Sequence, residues 1–247
     1  MKIKECIAFL LAVLLMGSLT ACGNNNSSDT KSLASDTTAE ANATDAGNST
    51  EATPDDTAQI DGKVLIAYFA YSENMGDTSG MEVDAITSAS LNRDTNNTEG
   101  NLQIMAQVIE ERTGAEVFHI LMTEPYPMDY STMLPISIEQ MENENWPALQ
   151  EKIENLVDYD VVYLGVPVWN AVLPPAMHTF FAENDFSGKI IIPFGIHLGS
   201  RFGRMIDEMK ELAPRAMVLD GFTINAETAN DEVKAQFGEW LDGQLSD

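Results

Sequence analysis

The folded part of this protein has no cysteine thiol available for chemistry. The chain of 247 residues contains 2 cysteines, Cys6 and Cys22. Cys6 lies in a predicted leader that is removed, and Cys22 stands at the predicted cleavage site. Disulfides, thiolate metal sites and a cysteine nucleophile are therefore excluded from the folded part.

Basic residues are also scarce. The sequence has 13 Lys and Arg against 39 Asp and Glu, which gives a formal net charge of −26. Because nucleic-acid binding is dominated by the neutralisation of phosphates, we expect no nucleic-acid partner. The same charge disfavours docking on anionic lipid, so a membrane link is expected from an anchor alone.

The apolar run near the start is too short to cross a bilayer. Lys2 and Lys4 precede the apolar segment Ile7–Leu15, which is typical of an export signal. The next small residues, in "LTAC" (Leu19–Cys22), resemble a bacterial lipobox. This resemblance implies a signal over residues 1–22, lipidation of Cys22 and an extracytoplasmic position on the cell membrane. The alternative is an ordinary secretory signal with a cysteine there by chance.

Residues 23–61 lack aromatic side chains and are rich in Asn, Ser, Thr, Ala and Asp. Such a segment buries too little apolar area to offset the entropy of ordering it. We predict a disordered tether with a reach of about 35 Å. Residues 62–247 remain, which suits one α/β domain.

Short β-rich runs alternate with helical periodicity after residue 62. Continuous apolar runs such as "VVYLGV" are typical of strands that are buried on both faces of a parallel sheet. The predicted strands are Val64–Ala70, Glu116–Leu121, Asp160–Val166, Lys189–Gly195 and Ala216–Thr223.

Five helices are predicted between and after these strands. They are a helix opening at Gly100 and ending at Gly114, then Trp146–Leu156, Pro174–Ala182, Gly203–Leu212 and Asn230–Leu241. Five β–α pairs in one domain predict a doubly wound sheet. Ligands of such sheets bind at the carboxyl ends of the strands, so function is expected in the loops after strands one, three and four.

Those loops have an unusual composition. The loop after strand three, "GVPVWNAVLPPAMHTFF" (residues 165–181), contains Trp169. The loop after strand four, "FGIHLGSRFGR" (residues 194–204), combines His197 with three glycines, which let a backbone approach a ligand closely.

With Tyr71-Ser72 after strand one and the "GN" that opens the first helix, these loops resemble the small FMN-binding branch of the flavodoxin-like fold. The similarity covers most of residues 63–245. It implies a three-layer α/β sandwich, a five-stranded parallel sheet in the order 2-1-3-4-5, and a long insertion after the first strand. It also implies FMN as cofactor and a redox partner or small-molecule acceptor. The residues implied at the cofactor are Ser72, Gly100, Asn101, Leu102, Pro167, Val168, Trp169, Asn170, His197, Gly199 and Ser200.

By this resemblance, Ser72 and the amides of Gly100, Asn101 and Leu102 hold the FMN phosphate. Residues 167–170 and 197–200 would flank the isoalloxazine ring. An anion at a helix N-terminus is held by N–H groups and the helix dipole, so no arginine cluster is needed. The family has a hydroxyl where this chain has Leu102. One lost hydrogen bond to a charged group costs about 1.5–3 kcal/mol, so we expect weaker dissociable FMN binding.

The insertion contains "DAITSAS", Asp84–Ser90. This segment resembles the acceptor motif of covalently flavinylated proteins, with Ser88 in place of the motif's glycine. The resemblance implies that Ser90 is joined to FMN through the phosphate. The alternative is a chance match in a loop that serves as a lid or a turn.

Structural interpretations stay open for several side chains. Trp169 is a candidate for packing on the third helix, and His197 for a solvated loop residue of which the site needs only the backbone. His178 is predicted to be a helix-surface residue. His119, inside strand two, is predicted to be structural.

Two classes of function remain. The first is a membrane-tethered redox flavoprotein, either an electron carrier or an FMN-dependent reductase. The alternative is a non-redox ligand-binding lipoprotein, because this scaffold hosts many functions. A hydrolase is not favoured, since Ser72 has no evident histidine and acid partner. Arg201 and Arg204 either balance nearby acids or steer an anionic partner.

Overall fold

The computed structural model of the chain describes residues 62–76 and 100–246. The predicted signal with Cys22, the tether, and Ser90 with its motif lie outside the described residues. Every described residue belongs to one unit, Thr53–Asp247. Within the two described ranges, no helix is both long and apolar enough to cross a bilayer.

Strands and helices alternate along the chain, as the sequence predicts. The strands are β1 (Val64–Tyr68), β2 (Glu116–His119), β3 (Val161–Pro167), β4 (Ile190–His197), β5 (Met217–Val218) and β6 (Phe222–Asn225). The helices are α1 (Asn101–Thr113), α2 (Tyr130–Asn143), α3 (Pro175–Glu183), α4 (Met205–Leu212) and α5 (Asn230–Leu245). The first four strands agree with the predicted bounds to within two residues.

The sheet is parallel and has the predicted order, β2-β1-β3-β4-β5, with β6 also paired to β4. In register, Tyr68 lies opposite Gly165, and Pro167 lies opposite Ile196. Every residue of β3 is buried. This is the burial expected of a central strand with helices on both faces.

Helices cover both faces of the sheet. On one face, Leu102 and Ile109 of α1 pack with Phe237 of α5 in a buried apolar cluster. On the other face, Met177 of α3 and Met209 of α4 belong to a second cluster. The result is the predicted three-layer α/β sandwich.

The predicted fifth strand, Ala216–Thr223, is two strands rather than one. The break falls beside Pro193 of β4, which has no N–H to donate to a neighbouring strand. Gly221 turns the chain there with φ +68°, and a Cβ at this position would lie 2.0 Å from the Pro193 carbonyl oxygen. A backbone that approaches this closely accepts glycine alone.

The predicted helix over Trp146–Leu156 is wrong. Residues near Leu149 instead run beside the chain that follows β2, with Thr123 N–H donating to the Ala148 carbonyl oxygen at 2.9 Å. Leu149 and Ile153 are buried, but on an irregular chain. Their spacing therefore reflects burial of one side of that chain and not a helical repeat.

Sequence analysis missed α2. Asp129 caps this helix, because its carboxylate accepts hydrogen bonds from the N–H of Thr132 at 3.0 Å and from its hydroxyl at 2.8 Å. Pro135 lies inside the helix. Because proline lacks the N–H of a helical hydrogen bond, its presence in the sequence argues against a helix there.

Asn74 fastens the loop after β1 to the segment after β2. Its buried side chain donates to the carbonyl oxygens of Ala70 and Ile120, both at 2.9 Å. Its oxygen accepts the N–H of Met122 at 2.7 Å. One amide thus satisfies three backbone groups in the interior, as buried polar groups require.

Asn74→Ala is expected to lower the free energy of unfolding by about 2–4 kcal/mol, because those three buried backbone groups lose their partners. Urea denaturation measures the change. The control is Asn143→Ala, since exposed Asn143 makes one bond, to the Glu139 carbonyl oxygen at 3.0 Å. Its expected effect is within about 0.5 kcal/mol. Equal losses in the two variants would contradict this role for Asn74.

Candidate functional site

The loops after β3, β4 and β6 meet at one edge of the sheet, where the strands have their carboxyl ends. The N–H of Arg204 donates to the Ala171 carbonyl oxygen at 2.8 Å, which joins the loops after β3 and β4. The N–H of Ala226 donates to the His197 carbonyl oxygen at 2.9 Å, which joins the loop after β6. The structure thus brings together two of the loops that the sequence singled out, those after β3 and β4, and adds the loop after β6.

The helix α1 begins at the same edge, with Gly100 as its N-cap. The N–H groups of Asn101, Leu102 and Gln103 open the helix, and no acceptor for them occurs among residues 62–76 and 100–246. Unpaired amides at the positive end of a helix dipole favour an anion.

Asn101 ties the start of α1 to the loop after β6. Its side-chain nitrogen donates to the carbonyl oxygens of Ala226 at 3.1 Å and Thr228 at 3.4 Å. Its side-chain oxygen is buried and has no partner in the described part of the chain. The Leu102 side chain packs in the core and is 1% exposed. Leucine has no polar group, and this side chain points into the core, so position 102 supplies only its backbone N–H to a ligand.

Gln103 is a site residue that sequence analysis missed. Its side-chain oxygen accepts the N–H of Gly100 at 2.6 Å and the hydroxyl of Ser72 at 3.3 Å. Two of the four predicted phosphate donors, Ser72 and Gly100, therefore already have an acceptor. The available signal was a Gln three residues after the N-cap, which is half of a capping box.

A polar cluster extends from Gln103 into a neighbouring cleft of about 280 Å³. The Glu73 carboxylate accepts from Gln103 Nε2 at 2.8 Å and from the Tyr68 hydroxyl at 2.8 Å. His119 Nδ1 lies 3.0 Å from that same carboxylate. Burial, together with the Glu73 charge, raises the pKa of Tyr68. His119 is thus placed by hydrogen bonds at the end of β2.

Trp169 opens a tight turn after β3. Its N–H donates to the Val172 carbonyl oxygen at 3.2 Å, and the Val172 N–H donates back at 2.9 Å. The two central residues, Asn170 and Ala171, have φ of 51° and 64°. Such a turn requires positive φ at both positions, which costs energy for residues other than glycine. Val168 ties its start to β4 through an N–H bond of 2.9 Å to Ile196.

The Trp169 ring packs by its edge against three aromatic rings. The centroid distances are 5.9 Å to Phe69, 5.7 Å to Tyr71 and 5.5 Å to Tyr126. Its aromatic partners therefore come from the loop after β1 and from the segment before α2, not from the third helix. Edge contacts of this kind fix the orientation of the ring.

The loop after β4 is held by its own histidine. The N–H of Gly199 donates to His197 Nδ1 at 2.9 Å, so Nδ1 is the acceptor and the ring proton lies on Nε2. Partial burial, with the charge of Arg201, lowers the pKa of His197. Gly199 has φ +111°, and Ser200 is exposed beside it.

Glu208 of α4 joins the turn to the loop after β4. Its carboxylate accepts the Leu173 N–H at 2.8 Å and a guanidinium N–H of Arg204 at 3.1 Å. Arg204 therefore balances an acid, as one sequence interpretation expected. For Arg201, the described residues supply no acidic partner in an ion pair.

His178 lies outside this arrangement. Its ring stacks on Trp146 with centroids 3.9 Å apart. Burial lowers the pKa of His178, and its Nε2 has no partner among the described residues. The hydrogen bond described for Ser72 goes to Gln103 and not to a histidine. In residues 62–76 and 100–246, no group of three His, Cys, Asp or Glu is arranged to hold a metal ion.

Comparisons with known proteins agree with this geometry. A candidate flavoprotein of known structure from Bacteroides uniformis ATCC 8492 is 23% identical, with a TM-score of 0.53 over 73% of this chain and 98% of that one. Another, from Bacteroides eggerthii DSM 20697, is 22% identical, with a TM-score of 0.50 over 74% of this chain and 98% of that one. At these identities the likeness shows the fold alone.

A comparison with curated proteins finds no match. The family model described as Flavodoxin matches residues 95–242, which is more than half of the chain. The protein belongs to the flavodoxin family.

Proposed function

We propose that this protein binds FMN at the carboxyl edge of its sheet and acts as a redox flavoprotein. One observation carries the proposal: the unpaired N–H groups that open α1 share this edge with the loops of Trp169 and His197. Membership of the flavodoxin family supports it.

The residues present fit the two ends of FMN. The amides of Asn101, Leu102 and Gln103 suit an anionic phosphate, with the Ser72 hydroxyl beside the same helix start. The buried, unpaired side-chain oxygen of Asn101 offers an acceptor to a ligand hydroxyl. On a chain with a formal net charge of −26, a site for an anion needs such a local concentration of N–H donors.

The loops after β3 and β4 suit a flat ring. Val168 and Trp169 are half-buried in one loop, and His197 is half-buried in the loop bonded to it. Asn170, Gly199 and Ser200 are exposed at the same edge, whereas Pro167 is buried as the last residue of β3. In this proposal Pro167 supports the loop and does not itself contact the ring.

Bound FMN supplies electron transfer, which the side chains of this protein do not provide. The protein binds and orients the cofactor. The turn and Glu208 hold Trp169, and neutral His197 keeps the following loop folded through the Gly199 N–H. Exposed Arg201 offers a positive charge to an anionic redox partner or small-molecule acceptor.

We also propose that the protein works outside the cytoplasm, attached to the membrane by a lipid on Cys22 alone. The apolar segment Ile7–Leu15 and the lipobox-like "LTAC" support this position. Residues 23–61 would then act as a tether, allowing the flavodoxin-like domain to reach partners near the membrane surface.

Trp169→Leu is expected to weaken FMN binding about two- to tenfold, because an aromatic contact contributes about 0.5–1.5 kcal/mol. Titration of FMN by fluorescence quenching measures the dissociation constant. The control is Trp240→Leu, since half-buried Trp240 of α5 stacks on Phe237 of the same helix. Wild-type protein that lacks both flavin absorbance and affinity for FMN would instead favour the alternative, a non-redox binding module.

We further propose that FMN is joined through its phosphate to Ser90, as the resemblance of "DAITSAS" to the acceptor motif implies. Acid denaturation of the natively exported protein is then expected to leave yellow flavin attached to the chain, because a phosphoester survives unfolding. Ser90→Ala should release all of the flavin, whereas the control Ser88→Ala should retain it. Absorption spectra of the chain, before and after denaturation, measure this. If the flavin washes off the wild type, or stays on Ser90→Ala, the covalent attachment is ruled out.

Cys22→Ser is expected to move the protein from the membrane fraction to a soluble or uncleaved form, since the lipid acceptor is lost. Immunoblots of separated cell fractions measure the distribution. Cys6→Ser is the matched control, because that residue lies in the removed leader and should leave the protein on the membrane. Retention of Cys22→Ser on the membrane as a processed chain would disprove the anchor.

A further inference from the structure

We propose that the Gln103 side chain is a built-in competitor of the ligand phosphate, and that an anion takes the Gly100 and Ser72 donors by displacing it. This inference rests on the proposed binding of FMN. It concerns how strongly the site prefers a phosphate-bearing flavin over a neutral one.

The geometry places one oxygen where a phosphate oxygen would be bound. Gln103 Oε1 accepts both the Gly100 N–H, at 2.6 Å, and the Ser72 hydroxyl, at 3.3 Å. These are the two donors outside the helix itself that the family resemblance assigns to the phosphate. An amide oxygen is neutral, and a hydrogen bond to a charged oxygen is about twice as strong. A phosphate therefore displaces the amide oxygen from these donors, but the net gain is only the difference in free energy between the two kinds of hydrogen bond.

Glu73 keeps Gln103 in this position. Its carboxylate accepts from Gln103 Nε2 at 2.8 Å, so the amide of Gln103 is held at both ends. The Glu73 side chain is 18% exposed, so water screens its charge only in part. The negative charge lies two hydrogen bonds from the Gly100 amide and repels a phosphate there. Glu73 thus opposes the anion both through Gln103 and directly.

Tyr68 and His119, which line the same cleft, hold Glu73 in place. His119 Nδ1 lies 3.0 Å from its carboxylate, and the Tyr68 hydroxyl donates to it at 2.8 Å. Glu110 lines the same cleft, and no hydrogen bond of its side chain to Gln103 occurs among the described residues. Glu110 therefore provides a matched carboxylate that shares the cleft but not the contact.

The experiment compares FMN with riboflavin, which carries the same ring and no phosphate. The protein is the full chain without its leader, made unflavinylated, and dissociation constants are measured by fluorescence quenching. Gln103→Ala and Glu73→Gln are each expected to tighten FMN binding about two- to tenfold and to leave riboflavin binding unchanged. Glu110→Gln should change either affinity by less than about twofold, because the Glu110 side chain is exposed and its charge is screened by water and salt.

A second measurement needs no flavin. Hydrogen exchange of the Gly100 amide in the unliganded protein should be faster in Gln103→Ala than in the wild type, because its acceptor is gone.

Unchanged or weaker FMN binding by Gln103→Ala, or equal tightening of FMN and riboflavin, would overturn the inference and leave the proposed function standing. Failure of every variant and of the wild type to bind either flavin, together with no flavin on the natively exported protein, would overturn both.

Discussion

The position of β3 between β1 and β4 is the constraint on which the rest of the structure depends. All seven residues of β3 are buried. It lies between β1 and β4, and helices pack on both faces of the sheet over it. Gly165 permits the close contact with Phe194, since a Cβ there would lie 2.4 Å from that ring. With this strand fixed in register, the loops that carry the candidate site start from rigid elements.

The two halves of the site are held by different means. The ring side depends on backbone geometry, with a tight turn at Asn170 and Ala171 and a carboxylate, Glu208, that accepts from its far end. The phosphate side depends on side chains, in a chain of hydrogen bonds from Gln103 to His119. The first half is strained by its two positive φ angles, whereas we propose that the second rearranges when a ligand offers better acceptors.

Sequence patterns predict most of the elements because buried parallel strands are continuous apolar runs with little ambiguity, and the family resemblance adds the strand order. It fails where tertiary contacts replace the local pattern. Pro135 hides a real helix, and the apolar spacing of Trp146–Leu156 suggests a helix that does not exist. Gln103 and Glu73 escape notice because their roles arise from contacts across thirty residues of sequence.

The split of the fifth strand has a consequence for association between molecules. One edge of the sheet is β2, with 4 residues, and the other is shared by β5, with 2, and β6, with 4. An edge strand offers unpaired N–H and carbonyl groups to any other chain that comes beside it. Edges this short present few such groups in a row. By dividing this edge into two short strands, Pro193 and Gly221 protect the protein from edge-to-edge aggregation.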